Sequence, residues 1–190
     1  MAKRMLLHDT RLNGNAPHIA QNIYRVGPKD KIANIVSWVQ AYAASQGGLD
    51  ELIVMCHGGE AHWDMEHQMS VARTSGGWGL QLGKRGLDLR NVALVRAWRN
   101  PKPLIGKIII YACAAADTGK GNAGTVGDGR RFMGEMALYS GATVIASSAT
   151  QMFSRSMFLN RINFGEWEGP VFSFSPDSGA STPIWADKMQ

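Results

Sequence analysis

Cysteine is scarce in this chain: Cys56 and Cys113 are the only two in 190 residues. That excludes the disulfide framework that holds small secreted domains together, so stability must come from a core. Long hydrophobic runs are missing too. The apolar stretches from Leu52 to Cys56 and from Ile108 to Cys113 fall far short of the roughly 18 residues that a membrane-spanning helix needs. The opening residues Met1 to Asp9 reach charge at once and lack the apolar length of a signal peptide. A cytoplasmic protein without a membrane partner is therefore expected, with secretion by another route left open. No internal repeat is present, and only 18% of residues are charged, which argues against disorder, collagen and coiled coil. What remains, 45% hydrophobic residues with 22 glycines, suits one folded domain burying about 70% of its unfolded surface.

Apolar runs alternate with helical patterns along the chain. Met5 to Leu7 reads as a short strand and Asn22 to Val26 as another. Ile32, Ile35, Val36, Val39 and Ala43 then recur at helical spacing before Gly47-Gly48. Glu51 to Cys56 and Lys107 to Cys113 are continuous apolar strands of the kind covered on both faces. Trp78 to Gly83 alternates like a hairpin strand, and Leu87 to Trp98 reads as a helix closed by Pro101 and Pro103. After a glycine-rich loop, a helix from Asp128 as N-cap to Ser140 stops at Gly141. Thr143 to Ser147 is the next strand, Pro170 to Phe174 a late edge strand, and the tail from Pro176 reads as irregular. The pattern implies an α/β domain with a central, mostly parallel sheet of about six strands and helices on both faces. Its core spans about 5–150, and 151–190 is loop-rich.

In such sheets ligands gather at the carboxyl ends of the strands, and two of the buried strands end at His57 and Cys113. A thiol acts as a nucleophile through its thiolate, and a neighbouring imidazole can take the proton. Alternation places Ile53, Met55 and His57 on one face of their strand and Ile109, Tyr111 and Cys113 on one face of theirs, with Cys56 pointing away. Gly58 has no side chain to block a substrate. Its amide and that of Cys113 are the candidate donors to a tetrahedral oxyanion. Taken singly, Cys113 reads as a small buried hydrophobe and His57 as a loop residue; the functional reading rests on the pair.

The ordered segments Leu49 to Gly58, Gly79 to Gly83 with Leu87-Asp88-Leu89, Ile109 to Ala114, Phe132 to Ala137 and Ser140 to Ser148 carry a resemblance. This order is similar to that of the caspase-like domains of large bacterial surface and repeat proteins, over about residues 5–150. The resemblance implies the caspase–hemoglobinase fold, a three-layer sandwich, and a cysteine endopeptidase dyad carried onto His57 and Cys113, with a peptide or protein substrate and no cofactor. The chain departs from the caspase signature, having Tyr111-Ala112-Cys113-Ala114-Ala115 around the nucleophile, and its segment from His57 to Trp78 is long for the bacterial domains.

In caspase-like folds the loop after the first strand helps line the pocket for the residue before the scissile bond. Here that loop holds Asp9 and Arg11. Asp9 favours a basic residue there and Arg11 an acidic one; Asp117 and Asp128 after the nucleophile strand tip the reading to basic, although each of these aspartates is more often a cap or surface residue. Related enzymes are often cut in the loop following the nucleophile, and a basic preference would make Lys120, Arg130 and Arg131 the points of self-cleavage.

Three other readings compete. Seven Lys and Arg residues against Asp88 alone between Lys84 and Lys107 suit either a solvated surface or an inactive binding module that contacts nucleic acid or an acidic protein. Cys56, His57, His62, Asp64, Glu66 and His67 fall within twelve positions and offer donors that suit zinc. Their spacing matches neither a finger nor a His-Glu-x-x-His helix, so a zinc hydrolase using the 57–67 cluster stays an alternative and no metal site is assigned. Gly119, Gly121 and Gly124 match a dinucleotide fingerprint in form, but no acid ends the following strand.

Overall fold

The continuous apolar runs form the middle of a seven-stranded sheet in the computed structural model, which describes residues 2–59, 76–99 and 101–185. The sheet strands, with the two α-helices, are β1 (Arg4–Asp9), β2 (Asn22–Val26), α1 (Ile32–Ser45), β3 (Leu49–Met55), β6 (Ile105–Tyr111), α2 (Gly129–Ser140), β7 (Thr143–Ser147), β10 (Val171–Phe174) and β11 (Ser181–Ile184). Short pairs lie outside it: β4 (His57–Gly58) with β5 (Leu80–Gln81), and β8 (Ser154–Arg155) with β9 (Ile162–Asn163). The order is β11-β10-β7-β6-β3-β1-β2. Neighbours from β2 to β7 run parallel, and β10 and β11 are antiparallel additions.

The expected layering needs correction. Among the described residues, helices cover one face only. Ile35 and Val39 of α1, Val95 and Trp98 of a 3-10 helix (Val92–Trp98), and Phe132 and Met136 of α2 share one core with Leu52, Val54, Ile108 and Ile110. The opposite face, with Leu6, Ile53, Met55, Ile109 and Tyr111, is closed by Leu12, Ile162 and Phe164 from irregular segments. Chain topology supplies the reason. The steps β2 to β3, β3 to β6 and β6 to β7 all advance the same way across the sheet, so connections of the favoured right-handed sense all fall on one face. Only β1 to β2 steps backwards, and its connection, 10–21, is a loop.

Two further expectations shift. The pattern from Leu87 to Trp98 yields turns and a 3-10 helix rather than an α-helix. Asp88 accepts from the Arg90 amide at 2.8 Å, and Asn91 accepts from the Asp88 amide at 2.9 Å; such local bonds compete with helical ones. The tail after Pro176 is not irregular throughout, since β11 pairs with β10 there, and that pairing makes the late strand β10 an inner strand rather than the expected edge. The helix ends of α2 stand where the sequence puts them, with Asp128 accepting from the Arg131 amide and Gly141 left-handed at φ 70°. No helix among the described residues is long and apolar enough to cross a membrane.

Candidate functional site

Parallel pairing in register aligns Met55 of β3 with Tyr111 of β6. Two residues beyond that pair on each strand stand His57 and Cys113, at the carboxyl edge of adjacent strands. The side chains of Ile53, Met55, Ile109 and Tyr111 share the loop-covered core, while Cys56 belongs to the helix-covered one. The alternation read from the sequence therefore holds up to the strand ends. Because β1 and β3 feed connections to opposite faces, the crevice expected in a sheet of this kind lies between those two strands, beside the His57 end and one strand away from Cys113.

Gly58 lies against the backbone of Cys113 so closely that a Cβ there would overlap the Cys113 carbonyl oxygen. Any other residue would push the two strand ends apart. Gly77, at φ 83°, meets the Asp117 carbonyl in the same way. Its amide donates to the Ala114 carbonyl at 2.9 Å, and the Gly76 amide donates to the Asp117 carboxylate, also at 2.9 Å. The turn after Cys113 is thus clamped from outside. Ala114 within it adopts φ 48°, a sparsely populated conformation for a residue with a side chain, and its amide donates to the Ala149 carbonyl at 2.8 Å.

The imidazole and the thiol each meet a main-chain carbonyl. His57 Nε2–H donates to the Arg11 carbonyl at 3.3 Å, which leaves Nδ1 as the basic nitrogen of the neutral ring. The Cys113 thiol donates to the Gln151 carbonyl at 3.5 Å. Gln151 is itself buried and donates through Nε2 to the carbonyls of Ala149 and Glu168 at 3.0 and 2.9 Å; its Oε1 has no partner among the described residues. Cys113 is partly exposed, whereas Cys56 is buried. Burial, followed by the nearby Asp9 charge, pushes its thiol well above its ordinary range, with Arg11 opposing, so Cys56 stays a protonated core residue.

The other candidates fall in varied settings. Asp9 is buried, its carboxylate held by Arg11 at 2.6 Å and by the Gly83 amide at 2.9 Å. Asp117 is half-buried beside Gly76. Asp128 caps α2 and also receives the Gly124 amide and the Thr118 hydroxyl, each at 2.8 Å. Desolvation raises its pKa, but those bonds together outweigh it and hold the carboxyl below its usual range. With the Gly124 amide so used, the glycine fingerprint presents a capped loop. Lys120 is exposed in that loop. Arg130 and Arg131 lie in the first turn of α2, the former stacked on Phe172 at 4.3 Å and the latter paired with Glu135 at 2.8 Å.

Four of the seven cations between Lys84 and Lys107 are engaged within the fold. Arg90 pairs with Asp88 at 2.5 Å, Lys107 with Glu51 at 3.3 Å, Arg99 donates to the Leu138 carbonyl at 2.7 Å, and Arg96 stacks on Tyr139 at 4.3 Å. His62, Asp64, Glu66 and His67 lie outside the described residues, and no cluster of metal-ligating side chains occurs among the described ones. No family model, curated protein or solved structure matches this chain. Sequence reasoning missed Arg11 and Gln151 as partners of the two central residues, because both act through carbonyls that any residue type supplies. The Gly76-Gly77 pair was the one legible signal of the clamp.

Proposed function

We propose that the chain is a cysteine endopeptidase of the caspase-like kind, with Cys113 as nucleophile and His57 as its base. The observation that carries this reading is the seating of Gly58 on the Cys113 backbone, which brings His57 and the thiol to one edge of adjacent strands. The Arg11 carbonyl selects the ring tautomer in which Nδ1 can take the thiol proton. The thiolate attacks the peptide carbonyl carbon, and the oxygen that becomes negative is received by the amides of Gly58 and Cys113. Collapse of that intermediate breaks the C–N bond as the imidazolium protonates the leaving amine; water, deprotonated by the same ring, then releases the acyl group. The buried Gln151 Oε1 suits a peptide N–H of the substrate, since leaving such an acceptor unmet costs about 1–3 kcal/mol. A basic residue before the scissile bond suits Asp117, because Asp9 is sealed in its ion pair and Asp128 is spent as a cap.

Mapping cysteines alkylated by stoichiometric iodoacetamide at neutral pH tests the proposal. Cys113 is expected to label at least tenfold faster than a simple thiol, to lose that advantage in His57→Ala, and Cys56 to stay unlabelled in the folded chain. Labelling of Cys113 at the rate of an ordinary thiol, or of Cys56 alone, would end the peptidase reading. A peptide library then reads the side-chain preference.

A further inference from the structure

The segment that closes the loop-covered face carries an exposed apolar tip. Between β8 and β9 stand Met157, Phe158 and Leu159, which are 94%, 98% and 57% exposed, and Met152 nearby is 67% exposed. Three consecutive large hydrophobic side chains turned to water are costly to keep unless something covers them. The tip is held outward by its own backbone. The Asn160 amide donates to the Ser156 carbonyl and the Ser156 amide to the Arg161 carbonyl, both at 2.9 Å. Asn160 takes φ 48°, a conformation asparagine tolerates better than most residues. From the neighbouring loop, Asn15 donates through its amide to the Asn160 carbonyl at 2.7 Å and through Nδ2 to the Leu159 carbonyl at 2.8 Å. These bonds tie down both ends of the turn while the side chains at its tip project.

The charge flanking the tip in the sequence is basic. Arg155 and Arg161 flank the tip, and neither 10–29 nor 151–165, the segments around it, contains an acidic residue. Asp9 and Asp30 bound the first segment, and Glu166 and Glu168 follow the second, lining a cleft together with Met152. An exposed apolar tip flanked by two guanidinium groups is the complement of a surface that is apolar beneath and anionic on top. We infer that this hairpin docks the protein on an anionic lipid bilayer, with Met157, Phe158 and Leu159 entering the boundary between headgroups and acyl chains and Arg155 and Arg161 pairing with lipid phosphates. Such docking is peripheral and needs no spanning helix. A groove on another protein would have to match the knob in shape as well as charge, and a second copy of this chain would bring like-charged arginines together.

Cosedimentation of the full chain with phosphatidylcholine vesicles, with and without 30% phosphatidylserine, decides the matter. Binding is expected only with phosphatidylserine, weakening as salt rises. Phe158→Ser and the pair Arg155→Gln/Arg161→Gln are each expected to reduce it about tenfold or more, with circular dichroism and thermal melting unchanged because these side chains are exposed or at the rim. Absence of binding to anionic vesicles, binding that ignores lipid charge, or binding that survives both variants would overturn the inference. A wild-type dimer by light scattering that Phe158→Ser dissociates, without vesicle binding, would overturn it in favour of self-association. Alkylation of Cys113 reads the peptidase proposal separately, so either can fail alone.

Discussion

The two faces of the central sheet are closed by different means, and each of the two cysteines belongs to a different side of that contrast. On one face α1, α2 and the 3-10 helix bury long apolar side chains, including Phe132 at 0% exposure, and Cys56 sits among them as one more packed residue. On the other, loops 10–21 and 151–167 lay a thinner cover in which Tyr111 stacks on Phe164 and Trp167 at 5.0 and 4.9 Å. Those same loops supply the carbonyls of Arg11 and Gln151 to His57 and Cys113. The lesson is a division of labour. A helix spends its carbonyls on its own ladder, whereas an irregular segment has carbonyls left to orient a site.

The contrast breaks if core truncations cost the same on both faces. Phe132→Ala removes a fully buried ring from the helix-covered core and is expected to destabilise by about 3–5 kcal/mol. Phe153→Ala removes a partly buried ring that meets Phe164 at 5.8 Å and a tilt of 50°; about 1 kcal/mol is expected. Urea unfolding with unchanged slope measures both. Equal costs would mean that the loop cover is as much a core as the helical one. Next in size is Gly58→Ala, whose methyl must displace the Cys113 carbonyl. It is expected to cost about 1–3 kcal/mol and to slow alkylation of Cys113 at the same time. A loss of stability with labelling unchanged would separate the strand junction from the site.

Much of the sheet was legible because its strands are continuous apolar runs, as in β3 and β6, and the ends of α2 were legible because Asp128 and Gly141 are chemically committed to those positions. The one-sided layering was not. It follows from the direction in which successive strands are added, and no local pattern carries that. β11 was hidden by Pro183, which lacks a donor and is tolerated here because β11 is an edge strand. At the candidate site, His57, Gly58 and Cys113 could be read as the residues that follow buried strands. Arg11 and Gln151 could not, because the atoms they contribute are main-chain carbonyls.

The smallest expected effect concerns a histidine that the loop-covered face holds neutral. His8 of β1 is buried two residues after Leu6 on that face, and its Nε2–H donates to the Leu12 carbonyl at 2.9 Å. Burial lowers its pKa below the ordinary 6.5, helped by Arg25 on the adjoining strand and opposed by the Leu12 bond and by Asp9. As pH falls through 6.5 the unfolded chain therefore takes up the proton first. The stability that His8 contributes is complete above that pH and drains away between 6.5 and its lower folded value, with a slope of at most about 1.4 kcal/mol per pH unit. The carboxylate of Asp128 acts in a separate window, losing its contribution only as pH falls below the ordinary carboxyl value of 3.8. His8→Gln, whose amide can still donate toward Leu12, is expected to flatten the decline between pH 6.5 and 5 in urea midpoints while leaving the acid limb below pH 4 in place. If the decline persists unchanged in that variant, His8 is not what makes the loop-covered face the more acid-sensitive of the two.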